Sequence, residues 1–310
     1  MGMRLLLSAI VIWIATGFTN PTNVRQLIIS GDTDRMNLEV GGYVEEIIPG
    51  DQREYAVHIT NPTHEAITAL LYVADAIPAL DGGTDFTMPG DSDTGSAAWY
   101  TTSDRNITLK AGETQSFTLN MQIPENVEPG QYASVIGVYN QSMRGSANRK
   151  SGLQVVLNYK LDEARPPEAV PHAAVYTLEN GTAYLTVLLV NEGGSISEPE
   201  IAVRVKRQGD TNEPLFERKS TVNTIYAGTV AQIRMELGRP LSSGTYMAEI
   251  TTEGGAHMEQ KTFPIEVVSK DGSSLHERSA GLRQSDVYGG ILLILVAIVL
   301  ALRRRASRKM

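Results

Sequence analysis

The chain has 310 residues, no cysteine and a formal net charge of −8. Without cysteine there is no disulfide framework, no thiol nucleophile and no cysteine-ligated metal site. Six of its 27 cations lie in residues 1–19 and 287–310, which contain no acidic residue. The part between them, with 21 cations and 35 acidic residues, has a net charge of −14. Such an acidic surface argues against nucleic acid as a partner.

The N-terminus has the pattern of a secretory signal. Residues 1–19 contain one cation, Arg4, followed by an apolar run at 5–15 and small residues toward position 19. A charged start, an apolar middle and a small-residue exit predict a signal peptide over 1–19. Because the cleavage site is not a clean A-x-A sequence, a retained signal anchor stays open as an alternative.

Alternating strand patterns dominate the first half of the chain. In 55–60 the apolar side chains of Tyr55, Val57 and Ile59 share one face, and the run ends at an Asn-Pro turn signal. Further strands are predicted at 66–74, 117–123, 132–139 and 153–161. Many short strands separated by turns predict an immunoglobulin-like β-sandwich over 24–161.

An acidic stretch at 75–104 interrupts these strands and is interpreted as a long loop. Its segment 91–95 reads D-x-D-x-G, the start of a calcium-binding loop, and calcium prefers several carboxylate oxygens. The candidate calcium ligands are Asp81, Asp85, Asp91 and Asp93. No later Glu has the spacing of an EF-hand, so a solvated acidic loop without a metal is the alternative.

Two aromatic residues, Trp99 and Tyr100, lie near the end of this stretch. Aromatic rings can stack on a sugar face, which makes the pair a candidate glycan contact. The alternative is that both rings pack against the core or edge of the sandwich.

A composition change at 162–171 marks a domain boundary. This segment contains three prolines and three acidic residues, which predict a stiff linker rather than a strand. A second immunoglobulin-like sandwich is predicted over 172–268. Its expected strands are 173–178, 183–190, 201–207, 229–237, 246–252 and 261–268.

The two halves share a glycine–tyrosine repeat. In the first half Gly112 precedes one strand and Gly130, two residues before Tyr132, precedes the next. In the second half Gly228, Gly244 and Tyr246 occupy the matching positions. We expect each glycine to adopt a positive φ and each tyrosine to cover an end of the core. The repeat is typical of immunoglobulin-like sandwiches without disulfides and indicates a fold rather than a function.

The C-terminus predicts membrane attachment. A polar stalk at 269–286 precedes an uncharged apolar run at 287–302, which is interpreted as one transmembrane helix. A basic cytoplasmic tail at 303–310 follows, with the topology-determining cations Arg303, Arg304, Arg305, Arg308 and Lys309. The predicted fold class is therefore all-β, with two tandem immunoglobulin-like sandwiches outside the cell followed by a single C-terminal span. A buried hydrophobic C-terminal helix is the alternative.

No catalytic constellation is present in the sequence. None of the five histidines belongs to an HExxH pair or a triad-like grouping, and there is no GxSxG, P-loop or GxGxxG motif. We therefore expect a protein that is not an enzyme and that has no cofactor other than the candidate calcium ion.

Two segments carry a family resemblance. Residues 43–61 show a glycine-containing turn, a strand and a final Asn, and 99–138 show a Leu-x-x-Gly-Glu turn, a strand ending in Ile-Pro and a Pro-Gly-x-Tyr sequence. With the second sandwich and the basic C-terminal tail, the chain resembles the WxL-interacting surface proteins of Gram-positive bacteria. The resemblance implies a peptidoglycan-binding first sandwich, a second sandwich that binds host surfaces, and a partner with a WxL domain. The family's Asn-rich stretch is replaced here by 75–104, which is richer in Asp and Gly.

Two functional hypotheses follow. The first is a membrane-anchored extracellular scaffold that attaches to cell-wall peptidoglycan, to a WxL-type surface protein or to both. The second is a membrane-tethered assembly or secretion chaperone that binds client strands by β-augmentation. An unpaired edge strand without protective Lys or Pro would favour the chaperone.

Overall fold

The computed structural model describes residues 26–37, 41–88, 95–101, 104–141, 150–210, 213–254 and 257–268. Within these residues the chain is all-β apart from one 3₁₀ turn at Ser96–Trp99. No helix in the described ranges is long and apolar enough to span a membrane. The predicted signal peptide, stalk, transmembrane helix and basic tail, including the five tail cations, lie outside these ranges.

The first sandwich contains ten strands. They are β1 (Ile28–Gly31), β2 (Met36–Asn37), β3 (Gly42–Glu46), β4 (Gln52–Thr60), β5 (Ile67–Pro78), β6 (Thr84–Phe86), β7 (Arg105–Leu109), β8 (Thr114–Gln122), β9 (Gly130–Asn140) and β10 (Ser151–Tyr159). One sheet has the order β1-β4-β8 and the other β2-β3-β10-β9-β5-β6, with β7 also pairing with β5. All pairs are antiparallel except β3 with β10. The side chains facing inward form one apolar core between the two sheets.

The second sandwich contains seven strands. They are β11 (Ala169–Glu179), β12 (Thr182–Asn191), β13 (Glu200–Arg207), β14 (Phe216–Thr221), β15 (Val230–Glu236), β16 (Gly244–Gly254) and β17 (His257–Val267). They form two antiparallel sheets, β11-β12-β15 and β14-β13-β16-β17, around a separate core. The prediction of an all-β, immunoglobulin-like fold is confirmed by these two sandwiches.

The interpretation of 75–104 as one long loop is wrong. Strand β5 continues to Pro78, and β6 occupies Thr84–Phe86 within the stretch. The small side chains of Ala74 and Ala76 are buried, so burial continues the strand where acidic residues had indicated its end. At the domain boundary, β11 begins at Ala169 and includes Pro171, where the pairing with β12 shifts register.

The glycine–tyrosine repeat corresponds to a tyrosine corner in each sandwich. The hydroxyl of Tyr132 donates to the Glu128 carbonyl at 2.6 Å, and that of Tyr246 donates to the Ser242 carbonyl at 2.7 Å. Each bond ties the start of β9 or β16 to the preceding turn, as in other immunoglobulin-like domains. The expected positive φ is found at Gly112, Gly228 and Gly244 but not at Gly130, where the expectation is wrong.

A different constraint acts at Gly130. An added Cβ atom there would lie 2.8 Å from the carbonyl oxygen of Gly194, in the second sandwich. The glycine is required because the two domains approach each other at this point, not because the backbone needs a left-handed conformation.

A buried asparagine lies at the end of β4 and another at the end of β12. The Asn61 amide donates to the carbonyls of Glu65 and Lys110 at 2.8 and 2.9 Å. The Asn191 amide donates to the carbonyls of Ser195 and Ile225 at 2.7 and 2.9 Å. Both side chains are fully buried. Each asparagine thus ties two loops together through their backbone carbonyl groups.

Replacing either asparagine is expected to be costly. Asn191→Ala removes the donor to the Ser195 carbonyl and the oxygen that accepts from the Glu168 and Gly193 N–H groups, so the free energy of unfolding should fall by about 2–4 kcal/mol. Urea unfolding followed by circular dichroism measures the change. The exposed Asn126 provides the control, and a similar loss in Asn126→Ala would contradict this account.

Candidate functional site

The two sandwiches share a third apolar cluster. Strand β5 is buried on both faces: its inward side chains join the first core, and its outward side chains join a cluster with the second sandwich. The outward residues are Leu70, Tyr72, Ala74 and Ala76, and Tyr226 packs against them from the second sandwich. Burial of this outer face fixes the position of one domain on the other.

The hydroxyl of Tyr226 lies at the polar centre of this interface. It forms a 2.6 Å hydrogen bond with the Thr84 hydroxyl and accepts a 2.8 Å bond from the Gln154 amide. Burial raises the pKa of Tyr226, although these two bonds oppose the shift. The ring therefore connects β6 and β10 of the first sandwich to the second.

Tyr226→Phe tests this connection. The substitution keeps the ring but leaves Thr84 and Gln154 without the hydroxyl, so the free energy of unfolding should fall by about 1–2 kcal/mol. Differential scanning calorimetry should also show the two domains unfolding less cooperatively. The control is Tyr159→Phe, a substitution within the first sandwich away from Tyr226. Its calorimetric unfolding transition should resemble that of the unsubstituted protein.

A turn at 79–83, here called the interdomain turn, extends from the first sandwich to the edge of β15. The Asp81 N–H donates to the Gln232 carbonyl at 3.0 Å, and the Asp81 carboxylate accepts from the Arg234 N–H at 2.6 Å. Asp81 has a φ of 65° and Gly82 one of 97°. Asp81 thus bonds to two backbone groups of β15, one through its own N–H and one through its side-chain carboxylate.

The remainder of this edge of β15 has no strand hydrogen-bonded to it and faces the end of β5. The bonds of Gln232 and Arg234 to Asp81 show that even-numbered residues direct their backbone groups away from β12. The Thr229 carbonyl points the other way, toward the Asn191 N–H. Val230 therefore directs its N–H and its carbonyl away from β12, and Gln232 directs its N–H the same way. Within the described ranges none of these three groups has a hydrogen-bond partner.

A cavity of about 390 Å³ lies beside these open groups. Its walls come from both sandwiches, and its lining residues are Ile77, Pro78, Ala79, Leu80, Thr229, Val230 and Gln232. Leu80 is 58% exposed at its rim. We call the cavity and the adjoining edge of β15 the interdomain groove. An apolar pocket beside an unpaired strand edge is suited to binding an extended chain.

The predicted calcium ligands have other partners where they are described. Asp81 bonds to β15, and Asp85 lies 2.8 Å from the Lys150 ammonium. Asp91 and Asp93 lie outside the described residues. Among the residues that are described, no three His, Asp or Glu side chains are grouped to hold a metal ion. Calcium binding by this stretch stays a prediction.

The candidate glycan residues lie against the first core. The ring of Trp99 is 4.8 Å from that of Tyr132, and the Tyr100 hydroxyl is 3.4 Å from the Ser134 hydroxyl. Burial raises the pKa of Tyr100 above its usual range. Both rings have a packing role here, while contact with a sugar stays a prediction.

Sequence reasoning did not identify Tyr226, Val230 or Gln232 as site residues. It recognised 229–237 as a strand, but period-2 alternation says which side chains face the core and not which backbone edge lacks a neighbour. Only the exposed, acidic Asp81 was singled out, and for a different chemistry.

The pH dependence of Asp85 can be tested. Its burial acts to raise the pKa, but hydrogen bonds from Lys150 and from the Phe86 N–H outweigh burial and lower the pKa overall. A lowered pKa means that Asp85 stabilises the fold above its unfolded-state pKa and loses this effect as the pH falls through the folded-state value. In Lys150→Met we expect the Asp85 pKa to rise, as measured by carboxyl-carbon NMR. Lys219→Met, in the exposed β14, should leave it unchanged.

Comparisons with known proteins give no family assignment. No family model matches the chain. No curated protein matches it either.

Several solved structures match the chain at low TM-score and low identity. A chain of the CsuC–CsuE chaperone–tip adhesion subunit complex from Acinetobacter baumannii is 12% identical with a TM-score of 0.31, covering 77% of this chain and 98% of that one. The YadV chaperone is 11% identical with a TM-score of 0.31, covering 76% and 99%. A chain of the chaperone–tip adhesin complex of CFA/I fimbriae is 10% identical with a TM-score of 0.30, covering 76% and 98%. Similarity at this level does not indicate what this chain binds.

Proposed function

We propose that this protein binds an extended segment of a partner protein by adding it as a strand to β15 in the interdomain groove. The observation that carries the proposal is the pairing of Asp81 with Gln232 and Arg234. One residue of the first sandwich already bonds to two backbone groups of this edge, and the next positions along the edge have no strand hydrogen-bonded to them.

The groove supplies the two components of strand capture. Backbone hydrogen bonds to Val230 and Gln232 give affinity that is independent of the partner's sequence, at about 0.5–1.5 kcal/mol each. The adjoining cavity accepts an apolar side chain from alternate positions of the segment, which supplies selectivity. The cluster around Tyr226 holds the two sandwiches that form the walls of the groove, so the protein needs little ordering when a segment binds.

Three other edge strands are less suited to strand addition. β14 contains Arg218 and Lys219, and β17 contains Lys261 and Pro264, which discourage strand addition. The edge of β8 has neither Lys nor Pro, but the Thr101 N–H already donates to its Asn120 carbonyl. The open part of β15, at 230–232, has no charged residue and is flanked by an apolar cavity.

This proposal develops the strand-binding hypothesis drawn from the sequence. The membrane-anchored scaffold hypothesis, with peptidoglycan or a WxL-type protein as partner, depends on the resemblance and on the predicted span at 287–302. The scaffold hypothesis and the membrane span remain proposals. A membrane tether is compatible with strand capture, because it would hold the groove near the cell surface.

Strand capture is tested with the peptide Val-Thr-Val-Thr-Val, carrying a C-terminal fluorescein-labelled lysine amide, in fluorescence anisotropy titrations. Val230→Pro removes one outward N–H at an edge position, where proline is tolerated, and should weaken binding at least tenfold. Val230→Thr keeps the N–H and the shape, and should bind as the unsubstituted protein does. Equal affinity in Val230→Pro, with an unchanged circular dichroism spectrum, would refute the proposal.

The cavity wall provides a second test. Leu80→Asp places a charge at the rim of the cavity. It should weaken binding of the same peptide at least fivefold, because an apolar side chain of the peptide then meets a carboxylate. Ile48→Asp is the matched control, since Ile48 is 64% exposed and lies outside the groove. Equal losses in both variants would show that the cavity is not involved.

A further inference from the structure

We infer that the segment bound in the groove is the amino terminus of the partner, with its ammonium group beside the Asp81 carboxylate and its chain antiparallel to β15. The inference rests on the proposed function and adds the chemistry and direction of the ligand. Its basis is the way in which the interdomain turn closes one end of the open edge.

The edge of β15 is blocked beyond Gln232. The Gln232 carbonyl and the Arg234 N–H are both occupied by Asp81. A strand that pairs with Val230 and the Gln232 N–H cannot continue past this point without displacing Asp81. The turn is also held against the second sandwich at its other end, because Gly82 packs closely on the Asn223 carbonyl and the Gly83 N–H donates to that carbonyl at 3.4 Å. A bound chain that ends beside Asp81 fits this geometry, whereas a chain that continues along β15 past Asp81 does not.

The charges at the closed end favour an ammonium group over a carboxylate. Asp81 is exposed, and its carboxylate has capacity for bonds beyond the one from Arg234 N–H. Glu236, also exposed, shares the outer face of β15 with Arg234. The Arg234 guanidinium is bonded to Glu179 at 2.5 Å and lies 3.7 Å from the Tyr184 ring centroid. An arriving carboxylate therefore meets anions and a cation that is already paired, whereas an ammonium group meets a carboxylate.

The direction of the bound chain follows. With its first residue at Asp81, the chain runs from Gln232 toward Val230, opposite to β15. It extends the sheet β11-β12-β15 by a fourth strand in the antiparallel arrangement of the existing pairs. Antiparallel pairing is also slightly more stable per residue than parallel pairing. A side chain near the amino end then lies next to the apolar wall formed by Ile77 and Leu80.

The test compares two forms of the peptide Val-Thr-Val-Thr-Val with the C-terminal fluorescein-labelled lysine amide: one with a free amine and one that is N-acetylated. At pH 7 the free amine should bind at least tenfold more tightly. At pH 9.5 the advantage should fall to about twofold, because an α-amino group loses its charge near pH 8.

Asp81→Asn is the decisive variant. Asparagine tolerates a positive φ and keeps a side-chain oxygen for the Arg234 N–H, so the turn is preserved while the charge is removed. The two peptides should then bind within about twofold of each other. The exposed Asp162 provides the control, and Asp162→Asn should keep the full preference. Equal binding of both peptides to the unsubstituted protein would overturn this inference and leave strand capture intact, whereas binding of neither peptide would overturn both.

Discussion

The arrangement of the molecule depends on the burial of β5 on both faces. A sheet strand at a domain surface normally buries alternate residues, yet here Leu70, Tyr72, Ala74 and Ala76 are buried in addition to the residues facing the first core. Exposing this second face to water would be unfavourable, and it is covered in part by Phe86 of the first sandwich and in part by Tyr226 of the second. The contact with Tyr226 follows, and so does the position of everything connected to the end of β5.

The interdomain groove is a consequence of that packing. Because β5 leads directly into the interdomain turn, fixing β5 against the second sandwich also places Asp81 at the edge of β15. The turn then has two effects: it protects Gln232 and Arg234 from unwanted pairing, and it leaves Val230 open next to an apolar wall. A site assembled from two domains in this way is rigid as long as the domains stay together, which reduces the entropic cost of binding.

The two sandwiches also show how one sequence pattern meets different constraints. Tyr132 and Tyr246 form equivalent corners, and Asn61 and Asn191 bond to equivalent loop carbonyls. The glycines in these corners are not equivalent. Gly244 has a positive φ, whereas Gly130 is needed because the Gly194 carbonyl of the other domain comes so close. Internal repeats therefore indicate a shared fold, while individual positions within them respond to contacts that the repeat does not encode.

The sequence by itself determined the all-β class, the two sandwiches and most of the long strands, because period-2 alternation and turn residues are local signals. Short strands such as β2 and β6 were missed, since two or three residues carry no periodicity. The tertiary structure alone decided that Asp81 bonds to β15, that Val230 presents an unpaired edge and that a cavity adjoins it. Backbone hydrogen bonds can be made by almost any residue, so they leave no signature in the sequence. A groove between two domains exists only once both have folded and packed.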